Sequence, residues 1–138
     1  MKNCNQVCTT IGNIMINKDN KYALNFSEGM SSGNKISINK NGDKIHFKKA
    51  GTYKFDLNGT AVPKNEVKLE IIFHSNLFTK DMRSFTHIPL HKTGDNFTFS
   101  VSTCFPICKG QIVSIHLIPD VYEDIILLDR TRLTIQLL

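Results

Sequence analysis

The sequence predicts an all-β chain folded as an antiparallel β-sandwich, and three observations carry that prediction. Apolar and polar residues alternate through segment after segment, most clearly in Lys48–Ala61 (KKAGTYKFDLNGTA) and Arg132–Leu138 (RLTIQLL). Turn-forming clusters break this alternation roughly every ten residues, the spacing of short strands in a sandwich or barrel. No apolar stripe at i, i+3, i+4, i+7 persists over three turns, so helix content is expected to be very low.

The strands follow in order. Every second residue is apolar in Lys35–Ile38, Lys44–Phe47, Thr52–Leu57, Lys68–Ile71, Asn96–Val101 and Leu133–Leu137. Such a pattern buries one face of a strand and leaves the other wet. Between these segments lie Asn41–Asp43, Ala50–Gly51, Val62–Asn65, Thr93–Asp95, Lys109–Gly110 and Ile118–Asp120, whose Gly, Pro, Asn and Asp residues suit tight turns. The first 34 residues are Asn-rich and alternate only at Ile14–Ile16 and Tyr22–Phe26, so they are read as an N-terminal arm or as first strands. Residues 35–138 form the sandwich, in what is expected to be one domain overall.

At 138 residues with 41% hydrophobic side chains, the chain is long enough to bury one ordinary core. The net charge of +5 comes from fourteen Lys against three Arg. Lysines spread along a chain suit solubility, whereas nucleic-acid readers gather Arg and interleave exposed aromatics, so no nucleic-acid partner is expected. Lys, Asn and Ile make up 43 residues, a bias attributed to an AT-rich coding genome. The N-terminus lacks the apolar core of a conventional signal peptide. The longest apolar run, Ile125–Leu128, falls far short of a bilayer span, so no membrane insertion is expected.

The segment Ile45–Phe55 resembles the strand pair of C1q/tumour-necrosis-factor-like jelly rolls, in which an aliphatic strand leads into Gly, Tyr and Phe at Gly51, Tyr53 and Phe55. The late pattern is similar too, with an apolar strand containing Phe97 and Phe99, a turn at Lys109–Gly110, a strand Gln111–Leu117 and a closing strand carrying Leu133, Ile135 and Leu137. That ending resembles the bacterial and viral members, including the heads of collagen-like spore-surface glycoproteins. The resemblance covers about residues 35–138. It implies an antiparallel jelly-roll β-sandwich that forms a homotrimer and binds through outer faces, loops or grooves between subunits. Physical chemistry agrees with an oligomer. Leu137 and Leu138 put apolar groups on both faces of the last strand, and a closed cyclic assembly covers such a second face with one repeated contact. The bland reading is a monomer with two-sided core strands.

Four cysteines stand as two CxxxC pairs, Cys4/Cys8 and Cys104/Cys108. The resemblance places the first strand beside the last ones, so the two pairs can meet as structural disulfides, given an oxidising compartment or a virus with its own thiol oxidase. A four-cysteine zinc site and four reduced thiols are the other readings.

The remaining candidates carry less chemistry. His87 and His91 share a four-residue spacing, but Pro89 excludes a helix, and a strand separates them by about 13 Å, too far for one metal. His46 and His116 fall on polar faces of alternating strands, and His74 has no motif around it. Asp120, Glu123 and Asp124 form an acidic loop that is a minor calcium candidate, weighed against a plainly solvated loop. Sequons at Asn25, Asn58 and Asn96 are near chance expectation in so Asn- and Thr-rich a chain. No nucleophile motif or phosphate loop is present, so no catalytic residue and no cofactor is assigned.

These readings favour a non-enzymatic homotrimeric surface protein that binds a protein receptor or coat proteins, on a virion or cell surface. The alternative is a capsid-associated structural or cement protein of a virus, and a distant third is a metal-dependent enzyme on a β-sandwich.

Overall fold

A computed structural model describes residues 5–32, 35–89 and 95–138. Twelve strands and no helix occur among them: β1 (Asn5–Thr10), β2 (Ile14–Ile16), β3 (Phe26–Ser32), β4 (Ile36–Ile38), β5 (Ile45–Phe47), β6 (Gly51–Val62), β7 (Val67–Ser75), β8 (Met82–Ile88), β9 (Phe97–Ile107), β10 (Ile112–Pro119), β11 (Ile125–Leu127) and β12 (Arg132–Leu137). They form two antiparallel sheets, which is the expected sandwich.

The longer sheet is built around β6. One edge of β6 pairs with β9 from Gly51↔Ile107 to Ala61↔Phe97. Its other edge is shared, with β12 alongside Tyr53–Asn58 and β11 alongside Ala61–Val62. Beyond β12 lie β1 and then β3, and beyond β11 lies β2, giving seven strands. The second sheet runs β4-β5-β10-β7-β8. Residues 5–32 thus supply β1, inserted between β12 and β3, together with β2 and β3.

Alternation explains the packing. In β6, Tyr53, Phe55, Leu57, Gly59 and Ala61 point inward, and in β10 Val113, Ile115 and Leu117 do the same. Where the two inner faces meet, the rings interlock. Phe55 of β6 stacks on Phe105 of β9 at 4.6 Å, and both meet Phe73 of β7 edge-on. Phe47 of β5 contacts Tyr53 and Phe55 edge-on. Each such buried ring contributes about 1.5–3 kcal/mol from burial, with ring geometry adding about 0.5–1.5.

Two turns need glycine. Gly42 has φ of 77° and lies against the backbone of Phe26, where a Cβ would strike the carbonyl oxygen. Gly110, at φ 86°, reverses the chain between β9 and β10.

Several elements differ from the sequence reading. The alternating Tyr22–Phe26 segment is mostly loop: Leu24 and Phe26 are buried, but Leu24 reaches the sheet through a single backbone bond to Ile115. β9 runs on through Pro106, which an edge strand with one paired neighbour tolerates. β8 shows no alternating apolar signal because it turns Ser84 and Thr86 inward and Phe85 outward, although Ile88 is fully buried.

Candidate functional site

The residues carrying the family pattern lie mainly in the core. Tyr53, Phe55, Phe99, Leu133 and Ile135 are buried, while Phe97 and Leu137 pack against the core half-exposed. Tyr53 donates its hydroxyl to the Lys49 carbonyl at 2.7 Å, pinning the turn that precedes β6. Gly51 leaves room for Leu137, whose Cδ1 occupies the space a Cβ would need. Leu138, by contrast, is exposed.

Among the described residues no disulfide forms. Cys8 faces the core from β1, with its Sγ 3.7 Å from the Leu133 carbonyl, whereas Cys104 and Cys108 are exposed thiols on and after β9. Between β1 and β9 stand β12 and β6, roughly 14 Å of sheet at normal strand spacing, and the side chains of Cys8 and Cys104 leave opposite faces. No bridge joins Cys8 to Cys104 or Cys108. Cys4 and His91 lie outside the described residues.

The acidic loop is spent on structure. Asp120 accepts the Lys68 backbone N–H at 3.0 Å, and Asp124 accepts the Asn17 side-chain amide at 2.8 Å. Glu123 is exposed. Among the described residues, no three His, Cys, Asp or Glu side chains converge with metal-binding geometry, and no helix is long and apolar enough to cross a membrane.

What remains are the outward faces of the two sheets, and they differ in chemistry. On the seven-stranded sheet the registers align outward residues in rows: Cys104–Lys54–Gln136, Ser102–Asp56–Thr134–Val7, Ser100–Asn58–Arg132–Thr9 and Thr98–Thr60. Six of these thirteen are Ser or Thr, and Asn58 and Gln136 add amides. The charges in these rows are Lys54 and Asp56, 3.9 Å apart, and Arg132. At the end of this face, Arg130 adopts φ 64° in a corner whose backbone is tied to the Thr10–Asn13 turn.

The five-stranded sheet presents charge and imidazole instead. Its rows read His87–Lys68, Phe85–Glu70–Ile118, Arg83–Ile72–His116 and His74–Ser114. His74 Nδ1 lies 2.7 Å from Asp81, Arg83 pairs with Glu70, and His87 Nε2 lies 2.8 Å from Glu66. His116 sits half-buried beside His74, under the loop at Asn20–Tyr22. Burial, and then the neighbouring His74, push the pKa of His116 below the ordinary imidazole value, partly opposed by Asp81 and by a hydrogen bond to the Tyr22 backbone. Three depressions, of about 230, 410 and 320 Å³, follow one another along the outward side of β10, the first two sharing His74 and the last two Ile118.

Sequence reading placed His46 and His116 on a polar face, and there they lie. It did not find the meeting of Lys18, Lys21, Lys68, His74 and Asp81 around β10, because those residues come from three separate segments, the loop after β2, β7 and the β7–β8 connection. Only the strand register assembles them.

No protein-family model matches the sequence, and no curated protein matches it either. Solved structures do match. Murine APRIL at pH 5.0 superposes with a TM-score of 0.71 at 10% identity over 99% of this chain and 100% of that one. The Eiger TNF structure from S. frugiperda gives 0.73 at 7% identity over 100% and 94%. The globular domain of zebrafish complement 1qA protein gives 0.63 at 10% over 96% and 94%. At these identities the likeness is one of fold, and the fold of this chain is the C1q/TNF-like jelly roll.

Proposed function

We propose that this protein is a non-enzymatic jelly-roll module that assembles as a homotrimer through the outward face of its seven-stranded sheet and binds a protein receptor or coat protein at a virion or cell surface. The observation that carries the reading is the chemistry of that face. Four strands, β9, β6, β12 and β1, present rows in which eight of thirteen side chains are Ser, Thr, Asn or Gln, and two of the three charges there, Lys54 and Asp56, lie 3.9 Å from each other. Depletion of charge marks the centre of protein interfaces more reliably than bulk hydrophobicity does. Small side chains on a broad sheet also let a second copy approach closely, and a repeated contact closes as a ring. The fold class supports the same reading, since a sandwich of this size is a rigid platform for loops.

Light scattering on the purified chain tests it. A mass near three times 15.6 kDa is the expected result. A monomer would overturn the trimer and favour a coat-associated jelly roll that needs its partner. Labelling of intact particles with an antibody to the chain tests the location.

A further inference from the structure

We propose that the groove along β10 on the outer five-stranded face is a second binding site, one that takes an anionic polysaccharide, a linear chain bearing sulfate or carboxylate groups. The site does not depend on the trimer, since every residue in it comes from one chain.

Its shape comes first. The three depressions share His74 and Ile118 in their linings and so follow one another along β10 as a line of adjoining hollows. From Ile112 to Asp120 the strand advances about 27 Å, which suits a chain rather than a small molecule. The floor is Ile112, Ser114, His116 and Ile118 of β10, with Ile72 of β7 beside it. β7 is paired on both sides, whereas β5 covers β10 only at Ile112 and Val113; beyond them the Leu24 N–H and the Asn20 side-chain amide take the Ile115 and Leu117 carbonyls, so little of either edge is left to add a peptide strand. Whatever lies here is held by side chains.

Charge then selects the occupant. Lys44 lines the first depression, Lys21 the second, and Lys18 and Lys68 the third. All four are exposed, and none has a carboxylate within ion-pair distance among the described residues. The carboxylates of the groove are already engaged: Glu70 by Arg83, Asp81 by His74 and Asp120 by the Lys68 N–H. With Arg83 answering Glu70, five cations stand against three carboxylates along the three depressions, so the net formal charge is cationic. Two of these cations are also held in place. Lys68 Nζ lies 4.1 Å from the Phe85 ring centroid and Lys18 Nζ 5.0 Å from that of Tyr122. A lysine resting on a ring keeps its charge and loses less freedom on meeting an anion. Point-charge ammoniums at intervals, with no deep apolar anchor between them, match a repeating anion better than a folded protein surface, whose contact centre would exclude charge.

Lysines far apart in the sequence thus act together. Charge spread along the chain reads as solubility, and the register of β7 against β10 gathers part of it on one groove.

The test is titration of the full chain with heparin as the probe, in a salt series, with neutral dextran, polyglutamate and anionic vesicles as comparison ligands. A triple variant, Lys18→Gln, Lys21→Gln and Lys68→Gln, should lose at least tenfold in heparin affinity and lower the salt slope by about 2–3, roughly one per lost contact. A matched triple at exposed Lys48, Lys49 and Lys109, none of which lines the groove, should stay within about twofold of the parent. Equal loss in both variants would overturn the site, because net charge alone would then explain binding. Tighter binding of polyglutamate or vesicles than of heparin would also overturn it. Light scattering on the same samples separates this proposal from the assembly. A trimer that ignores heparin sinks the groove alone, and a monomer that binds it sinks the trimer alone.

Discussion

The two sheets share one core but meet water differently. On the seven-stranded sheet, β6 and its neighbours show rows of hydroxyls and amides with one internal ion pair. On the five-stranded sheet, the outward rows hold three histidines, two of them paired to carboxylates, and an Arg–Glu pair. Both faces obey the same alternation, so the difference is not needed to build the sandwich. On the two proposals made above, the hydroxyl- and amide-rich face would serve association with copies of itself, and the histidine- and lysine-bearing face solvent and anionic ligands.

The comparison breaks most completely if the shared core is removed. Phe105 of β9 stacks on Phe55, meets Phe73 of the opposite sheet edge-on at 5.2 Å, and touches Phe78 at 5.5 Å. Phe105→Ala should cost about 3–5 kcal/mol in urea unfolding and abolish assembly and groove binding together. If only one of them were lost, the two faces would not rest on a common core.

A single charge sharpens the comparison next. Ser102 of β9 is opposite Asp56, so Ser102→Lys gains a favourable neighbour within the monomer. Buried between copies, the same lysine would be costly. The mass should fall from three times 15.6 kDa to one, with monomer stability within about 0.5 kcal/mol of the parent. Ser114→Lys on the other face should leave the mass unchanged. An unchanged mass for Ser102→Lys would remove this face from the interface.

How much of this was legible depended on which side chains each strand turns inward. β6, β10 and β12 turn in Phe, Leu, Ile and Val, and their alternation was visible. β1 turns in Gln6, Cys8 and Thr10, so its core face reads as polar, and its place beside β12 could not be seen from periodicity. Thr10 is satisfied only across 121 residues, by the Thr131 backbone N–H. β8 is an edge that turns Ser84 and Thr86 inward and Phe85 outward, which erases the apolar period although Ile88 is buried. The faces themselves follow from register, and register is a long-range property. Alternation told which way His116 points, but not that Ile72 and His74 of β7 would lie beside it.

A smaller effect is expected from pH. The pKa of His116 is lowered in the folded protein, so between the unfolded value near 6.5 and the folded value the unfolded chain holds more protons. Its contribution to stability is therefore complete above about pH 6.5 and is lost as the pH falls through the folded value. The carboxylates of Asp81 and Glu70, the His74 imidazole, and the cations Lys21 and Arg83 set the local field around it. His116→Gln should flatten the thermal midpoint between pH 7.5 and 5.5, and His74→Gln should flatten it in part by removing the like-charge neighbour. No change in either would mean that the five-stranded face does not respond to pH through this imidazole. The seven-stranded face carries no histidine in its rows, so substitutions there should leave the profile unaltered.

The smallest expected effect decides what the charges are for. Arg83 pairs with Glu70 on the five-stranded face, with half of the Arg83 side chain exposed, and Lys54 lies 3.9 Å from Asp56 on the seven-stranded face. Exposed pairs of this kind are worth about 0.2–1 kcal/mol and fade as salt rises. Arg83→Ala should thus cost less than about 1 kcal/mol in urea at about 0.1 M salt and less still at about 1 M, and Lys54→Ala should cost no more. A loss above about 1.5 kcal/mol for Arg83→Ala would make the pair a structural clasp between β7 and β8, and the charged face would then be explained by stability. With the small cost expected, the charges are nearly neutral to folding. Their arrangement, with imidazoles on one sheet and hydroxyls on the other, then has to be accounted for by what each face meets.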